Sequence, residues 1–466
     1  MRLRVLVTIA AVAYTSPTAP AQAQGHPQAE AQALDLLKRG IAFRTVSGAG
    51  NQTPAYAAHL KQVLVAGGFA DSDVEIVPVG DTAYLVARYR GTGKAKGGAK
   101  PLLISGHMDV VEAKPADWTR DPFTPVIENG YIYGRGAADM KYDLSTMVAS
   151  LIDLKRTGFR PARDIVLLLS GDEETSMKTA ALMADRFAGA ELLLNIDGGG
   201  GALDPAGKPT FYGIDGAEKT YADFELVVTN AGGHSSAPRR DNAIYSLAHA
   251  LTRIEAYGFP GQINDITRAS WEAEAAKADP TRAAMIRRFL ANPRDAEALA
   301  ALRADPSLIG QTGTTCVATM VMAGHATNAL PQRATANVNC RIFPGTSVEA
   351  VRETLAEAAA EPGLTIRTLD SGTVASPASP LRPDVVNAVT TAIHARFPDV
   401  PVVPGMSAGA SDSMWFRARG VPSYGISPIF TTPGESFAHG LNEKSPLGEI
   451  APSITYYRSV LTALSR

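Results

Sequence analysis

Asp172, Glu173 and Glu174 stand in a row in the segment SGDEET, directly behind the apolar run DIVLLL of residues 164–169. Carboxylates this close raise one another's pKa unless positive charge compensates them. Residues able to share such a charge recur along the chain. His107 and Asp109 lie in SGHMDVV, behind the strand-like PLLIS. Asp139 lies in GRGAADMKYD, Asp197 ends ELLLNID, and His439 lies in SFAHG. Four of these segments follow or flank apolar runs, and ligands of open α/β sheets bind at the carboxyl ends of the strands. Two imidazoles and three carboxylates suit a pair of divalent ions bridged by one carboxylate, with zinc favoured over magnesium by the nitrogen donors. Such a pair supplies the missing positive charge and activates water. Neighbouring strand residues face opposite ways. One of Glu173 and Glu174 is therefore expected to bind metal while the other serves as general base.

Each residue also has a plainer reading. Asp109 suits a turn cap, Asp139 a helix N-cap (although Asp143 suits the helix DLSTMVASLIDLKRTG better), and an acidic triplet a solvated loop. Their joint arrival at strand ends, in order, makes the plain readings improbable together. His26, His59, His249 and His394 read as surface or helix residues.

The elements that must position these groups alternate. Helical and strand-like patterns interchange from Ala29 to about Gly213, with apolar strands of the kind buried on both faces, which indicates a mixed α/β sheet. The middle reads strand TYADFELVVTN, helix NAIYSLAHALTRIEAY, strands TTCVATMVMA and ATANVNCRIF, helix SVEAVRETLAEAAA and strand LTIRTLD. That β-α-β-β-α-β order predicts a split, ferredoxin-like sheet with helices on one face. It is interrupted at 264–310 by an Ala-rich charged stretch, expected to be a solvated helical hairpin with a partial lid role. The first pattern resumes after Ser371. The expected organisation is a signal segment at 1–23, a catalytic domain in two parts at 24–215 and 372–466, and an inserted domain at 216–371.

Composition narrows the partners. The 466 residues are 45% hydrophobic and 19% charged, a globular balance with room for more than one domain. A formal net charge of −2 offers no field for nucleic acid. At the N-terminus, Arg2 and Arg4, the apolar VLVTIAAVAY and Ala21-Gln22-Ala23 read as a cleavable export signal. The apolar run is too short to span a bilayer. A periplasmic or secreted protein, not held in a membrane after cleavage, is the expectation. In such a compartment Cys316 and Cys340, each in a strand-like run, either pair or remain as two buried thiols, since register is not readable here.

SGHMDVV, GRGAADMK, SGDEET, GGHSSAP, NALP and AHG occur in the order found in the M20 metallopeptidases, and the resemblance runs through essentially the whole chain after the signal segment. It implies an amide hydrolase: a carboxypeptidase, dipeptidase, aminoacylase or desuccinylase with two zinc ions, cobalt or manganese being alternatives. By resemblance, His107 and Asp197 hold one ion, Glu174 and His439 the other, and Asp139 bridges them. Asp109 hydrogen-bonds His107 from behind, and Glu173 is the base. His234 in GGHSSAP reaches the active site of a neighbouring subunit, where a placed donor steadies an oxyanion. This implies a homodimer formed through the inserted domain. Asn328 in TNALP and Arg341 in VNCRIFPG resemble a substrate-binding pair, and a guanidinium fork matches a carboxylate bidentately. The implied reaction is attack of metal-activated water on a short peptide, or alternatively on an N-acyl amino acid. A non-catalytic binder would have been marked by loss of Glu173 or of a ligand. Two departures stand out: Tyr142 and Asp143 follow DMK where many relatives have Gly, which is expected to narrow the pocket wall, and Asp197 is the only acid in NIDGGGG.

Overall fold

A computed structural model describes residues 25–95, 100–370, 372–432, 434–435 and 437–466; the expected signal segment lies outside them. Leu102–His107, Ile165–Ser170 and Leu192–Asn195 are buried at every position. Their unbroken apolar runs leave no face for water, so they sit as parallel strands at the centre of a ten-stranded sheet. Ser423–Gly425 continues the parallel set, while Thr82–Tyr89 and Val74–Val79 close one margin antiparallel. The other margin is Pro209–Glu218, flanked by Gly200–Leu203 and Val402–Ser407, with Phe430–Thr431 outermost.

Alternate residues of the central strands point to two cores. Leu102, Ile104, Ile165 and Leu167 meet Leu60, Leu144, Met147 and Tyr457, on the helices Thr53–Ala66, Lys141–Arg156 and Ile450–Leu464. Leu103, Val166 and Leu168 meet Met183 and Phe416, on Lys178–Arg186 and Ser413–Ala418. His107 and Ser170 are register partners, so the parallel strands end level and their following loops open on one edge.

A second sheet has the order Thr315–Ala323, Arg333–Ile342, Thr220–Thr229, Leu364–Leu369, all antiparallel. One face packs on the helices Ala243–Ala256 and Val348–Ala359. This is the ferredoxin-like arrangement expected from the sequence. Register places Cys316 opposite Cys340, and the two are joined by a disulfide. The outer strand Thr315–Ala323 stands clear of the rest, with Val317, Met320, Val321 and Met322 at 61%, 59%, 58% and 66% exposure.

The stretch expected to be a solvated hairpin is instead four helices: Asp265–Lys277, Pro280–Ala291, Ala296–Arg303 and Pro306–Ile309. They enclose a core of their own around Trp271, Ile286, Phe289 and Leu302. Ile266 packs with Ala217 and Met406, which docks the first helix on the margin of the large sheet. Alanine-rich, charged composition hid this core, because its few large apolar residues come from three separate helices.

Asp143 is not an N-cap. The helix begins at Lys141, and the Asp143 carboxylate accepts from Tyr457 (2.6 Å) and Ser427 (3.0 Å) inside the protein. Tyr142 is fully buried and donates to the Pro446 carbonyl, so it does not narrow the pocket wall. Among the described residues no helix is long and apolar enough to cross a membrane.

The disulfide closes a loop across 24 residues of sequence. Its removal in a Cys316→Ala/Cys340→Ala double variant is expected to lower stability by about 2–4 kcal/mol, read as an earlier urea midpoint for loss of the inserted sheet.

Candidate metal centre

The level strand ends bring seven of the sequence candidates to one place. His107 is the last residue of its strand, and its Nε2 lies 2.9 Å from Asp139 Oδ1 and 3.8 Å from Asp197 Oδ2. His439 Nε2 lies 3.1 Å from Asp139 Oδ2 and 3.0 Å from the Glu174 carboxylate. Asp139 thus offers one oxygen to each imidazole. Two donor sets result, His107–Asp139–Asp197 and Asp139–Glu174–His439, each with its ligand atoms within 4.8 Å of one another. Two sets of borderline nitrogen and hard oxygen donors sharing one carboxylate fit two divalent cations, and the imidazoles favour zinc, cobalt or manganese over magnesium. Glu173 belongs to neither set. Among the described residues it forms a third candidate set with His107 and Glu174, and it is buried.

Glu173 and Glu174 do not continue the strand, which ends at Ser170, so strand alternation does not separate them. A turn does. The Asp109 carboxylate accepts from both of its backbone N–H groups, Glu173 at 3.1 Å and Glu174 at 3.0 Å. Asp172 is the helix-capping acid of the triplet, accepting from Lys178 N–H (2.9 Å), Thr179 N–H (3.0 Å) and Ser176 Oγ (2.6 Å). The His107 Nδ1–H therefore goes to the Asp109 backbone carbonyl at 3.0 Å, with the carboxylate standing off at 3.7 Å. That carbonyl bond fixes a proton on Nδ1, so Nε2, which here hydrogen-bonds Asp139, is the nitrogen a metal would take in place of its proton. Asp109 therefore meets His107 through its main chain, not through the carboxylate the resemblance implied, and its carboxylate holds the acidic turn instead.

Glu443 escaped the sequence reading. Fully buried, it accepts from the N–H groups of Gly136 (3.2 Å), Ala138 (2.7 Å) and Asp139 (2.9 Å) and pairs with Arg135 at 2.6 Å. Arg135 also donates to the His439 carbonyl at 3.3 Å. One carboxylate thereby ties the loop that carries Asp139 to the loop that carries His439. The only hint in the sequence was its position four residues after His439. His439 itself is held at a φ of +61°, a left-handed backbone that a non-glycine residue keeps only when its surroundings impose it.

The charges of the cluster are unbalanced. Burial pushes the Glu173 and Asp197 carboxyls well up, His107 opposes this, and neighbouring acids reinforce it. Burial pushes Asp109 up to about 6 and Asp412 up to about 7. For Asp139 burial works upward too, but hydrogen bonds from His107 and His439 outweigh it and hold the carboxyl far down. Bonds to Asp139 and Glu174 raise His439 to about 10. The two imidazoles act as stand-in cations for a cluster of acids that they cannot neutralise fully.

The remaining candidates lie on the inserted sheet and its loops. His234 is exposed, its Nδ1 accepting from Ser236, and it pairs in a short ladder with Ala329, next to Asn328. The Arg341 guanidinium lies over the Tyr221 ring at 4.7 Å and donates to the Ala408 carbonyl at 3.3 Å, in the loop of residues 405–412. Arg341 is thus beside the large sheet's loops, whereas His234 and Asn328 lie together at a short ladder of the inserted domain.

The chain belongs to peptidase family M20/M25/M40, whose profile matches residues 103–463, and is a hydrolase of that family. It is 30% identical over 362 residues to the N-fatty-acyl-amino acid synthase/hydrolase PM20D1 of Bos taurus, covering 74% of this chain and 70% of the relative. It is 27% identical to a probable carboxypeptidase S-like 2 of Dictyostelium discoideum, covering 80% and 73%. Its fold superposes with a TM-score of 0.68 on the M20 family metallo-carboxypeptidase Sso-CP2 of Sulfolobus solfataricus, at 22% identity over 92% of this chain and 98% of that one.

Elemental analysis of the purified protein is expected to find two divalent ions per chain, and Asp139→Asn is expected to lose both. Glu443→Gln, which touches no donor atom, is expected to weaken metal affinity about 10–100-fold by loosening the Asp139 loop, measured by competition with a chelating dye.

Proposed function

We propose that this chain is an exported two-metal amide hydrolase that releases an amino acid from a short peptide or an N-acyl amino acid. The observation that carries the reading is Asp139 shared between two imidazole-containing donor sets, with the Glu173 carboxylate beside them in neither. His107, Asp139 and Asp197 would hold one ion, and Asp139, Glu174 and His439 the other. Two divalent ions held there, zinc by the donor set, would supply a Lewis acid for the scissile carbonyl and a lowered pKa for water. Glu173 takes the proton of the attacking water and returns it to the leaving nitrogen. Arg341 reads the carboxylate of the released amino acid through its guanidinium fork, with Asn328 as a second polar contact.

His234 is exposed within this chain, which supports a role across a dimer, where it would donate to the developing oxyanion. The bare, apolar strand Thr315–Ala323 is the surface such a dimer would use, since an unpaired edge of this kind is a template for another strand. Residues 216–371 would then serve as lid and dimerisation module. The N-terminal signal pattern supports export, and the Cys316–Cys340 disulfide suits an oxidising compartment. Relatives named as a carboxypeptidase and as a fatty-acyl-amino acid hydrolase support either acyl partner for the released amino acid.

Glu173→Gln is expected to keep both metals and lose turnover by at least about 100-fold, measured as amino-acid release from a panel of dipeptides and N-acyl amino acids. Near-normal release would remove Glu173 as the base. Substrates amidated at the carboxylate are expected to be poor, and in Arg341→Ala the free-carboxylate and amidated members become equal. In sedimentation, Met320→Lys/Met322→Lys is expected to convert a dimer into a monomer that loses turnover as His234→Ala does.

A further inference from the structure

Two cavities lie on one face of the large sheet and share a wall. The first, about 420 Å³, starts at Asp139 and Asp197 and runs along the backbone of Gly198–Gly201 to Phe211, Gly213 and Asp215. The second, about 350 Å³, is bounded by the same Phe211, Gly213 and Asp215, by Val403 and Met406 of the neighbouring strand, and by Trp271, Ala273 and Leu308 of the helical insertion. Each volume falls in the range of small-molecule sites. Residues 211, 213 and 215 alternate along Pro209–Glu218 and so face the same way. Tyr212 and Ile214, between them, are buried in the main core on the opposite side.

The shared wall carries little bulk at its centre. Gly213 needs no special backbone angle, and a Cβ there would meet nothing nearer than 3.7 Å. The fold does not demand glycine at this strand position, and its missing side chain keeps the wall between the two cavities low. Phe211 beside it is 43% exposed, a large aromatic surface left uncovered on that wall. Asp215, the one acid on the wall, accepts from Gly199 N–H at 2.7 Å, and burial raises its carboxyl toward the neutral form. Beyond the wall the lining is mixed, with Trp271, Ala273, Leu308, Val403 and Met406 as its apolar part and Ser270, Glu274, Lys277 and Gln311 as its polar part.

We propose that the carbonyl side of the substrate is a long-chain acyl group, which leaves the metal centre along the glycine floor, crosses Phe211 and Gly213, and ends beneath the helical insertion. This rests on the amide-hydrolase reading above and assigns the insertion a task, that of roofing the acyl chain. Each methylene taken from water favours binding by up to about fourfold, so chain length is the property such a groove reads.

The test is a series of N-acyl leucines with acetyl, octanoyl, dodecanoyl and hexadecanoyl groups, run with the wild-type, metal-loaded enzyme and with Gly213→Val and Ala273→Trp. Folding of the variants is checked by metal content and circular dichroism. The wild-type kcat/KM is expected to rise at least about tenfold from acetyl to dodecanoyl. In both variants the dodecanoyl-to-acetyl ratio is expected to fall to near one. A flat or falling wild-type series overturns the inference while leaving the hydrolase reading intact. So does a rise that neither variant changes, because the chain then lies elsewhere. If no amide in the series is cleaved while dipeptides are, the inference is overturned and the hydrolase reading stands; if dipeptides are not cleaved either, the hydrolase reading fails, and the groove is read directly by displacement of a fluorescent fatty acid with dodecanoic acid. Saturable binding that Gly213→Val abolishes then supports the apolar-chain site, and absence of binding to the wild type overturns it.

Discussion

Repulsion among buried carboxylates is the constraint on which this structure turns. Asp139, Glu173, Glu174 and Asp197 converge with only two imidazoles between them, and no sequence of this kind would hold them together without a framework that leaves them little choice. Asp139 is the pivot, because each of its oxygens faces a different histidine. The supports around it are correspondingly rigid. Glu443 grips three successive parts of the Asp139 loop and, through Arg135, the His439 loop. Asp109 fixes the turn of Glu173 and Glu174 through two backbone bonds. Each of these acids is itself buried, and each is tolerable there because it is fully engaged by N–H donors.

The sheet gives these supports their common origin. Parallel pairing of fully apolar strands makes His107 and Ser170 register partners, so consecutive loops emerge at one level. Packing of both faces under helices makes slippage costly, since a shift of one residue would exchange Leu103 and Val166 with Leu102 and Ile165 between two differently shaped cores. The metal centre inherits its geometry from that packing.

The inserted sheet and the four helices within it have different relations to the centre. The sheet's domain carries His234 and Asn328 together at a short ladder and leaves an apolar edge bare, an arrangement that is completed by a second copy in the reading given above. The helices instead fold back on the large sheet through Ile266 and roof the ground beside the glycine segment. A composition that suggested a solvated appendage thus forms a wall of the pocket region.

The candidate donor residues could be picked out in the sequence because metal chemistry restricts such groups to a few residue types, and because strands buried on both faces must be written as unbroken apolar runs. The alternation of such runs with amphipathic helices also specified the α/β sheet, and the β-α-β-β-α-β order the inserted one. What the sequence left open depends on contacts between distant segments. Whether Cys316 meets Cys340 is a matter of strand register, which a ladder between strands decides. Glu443 looks like any surface glutamate until residues more than 300 positions away present their N–H groups to it. Asp109 and Asp143 read as caps, because a short acid near a helix or turn usually is one, yet burial handed one to an acidic turn and the other to Tyr457 and Ser427. Residue type set which groups could bind metal; only packing, which desolvates some acids and supplies donors to others, decided which of them support the rest.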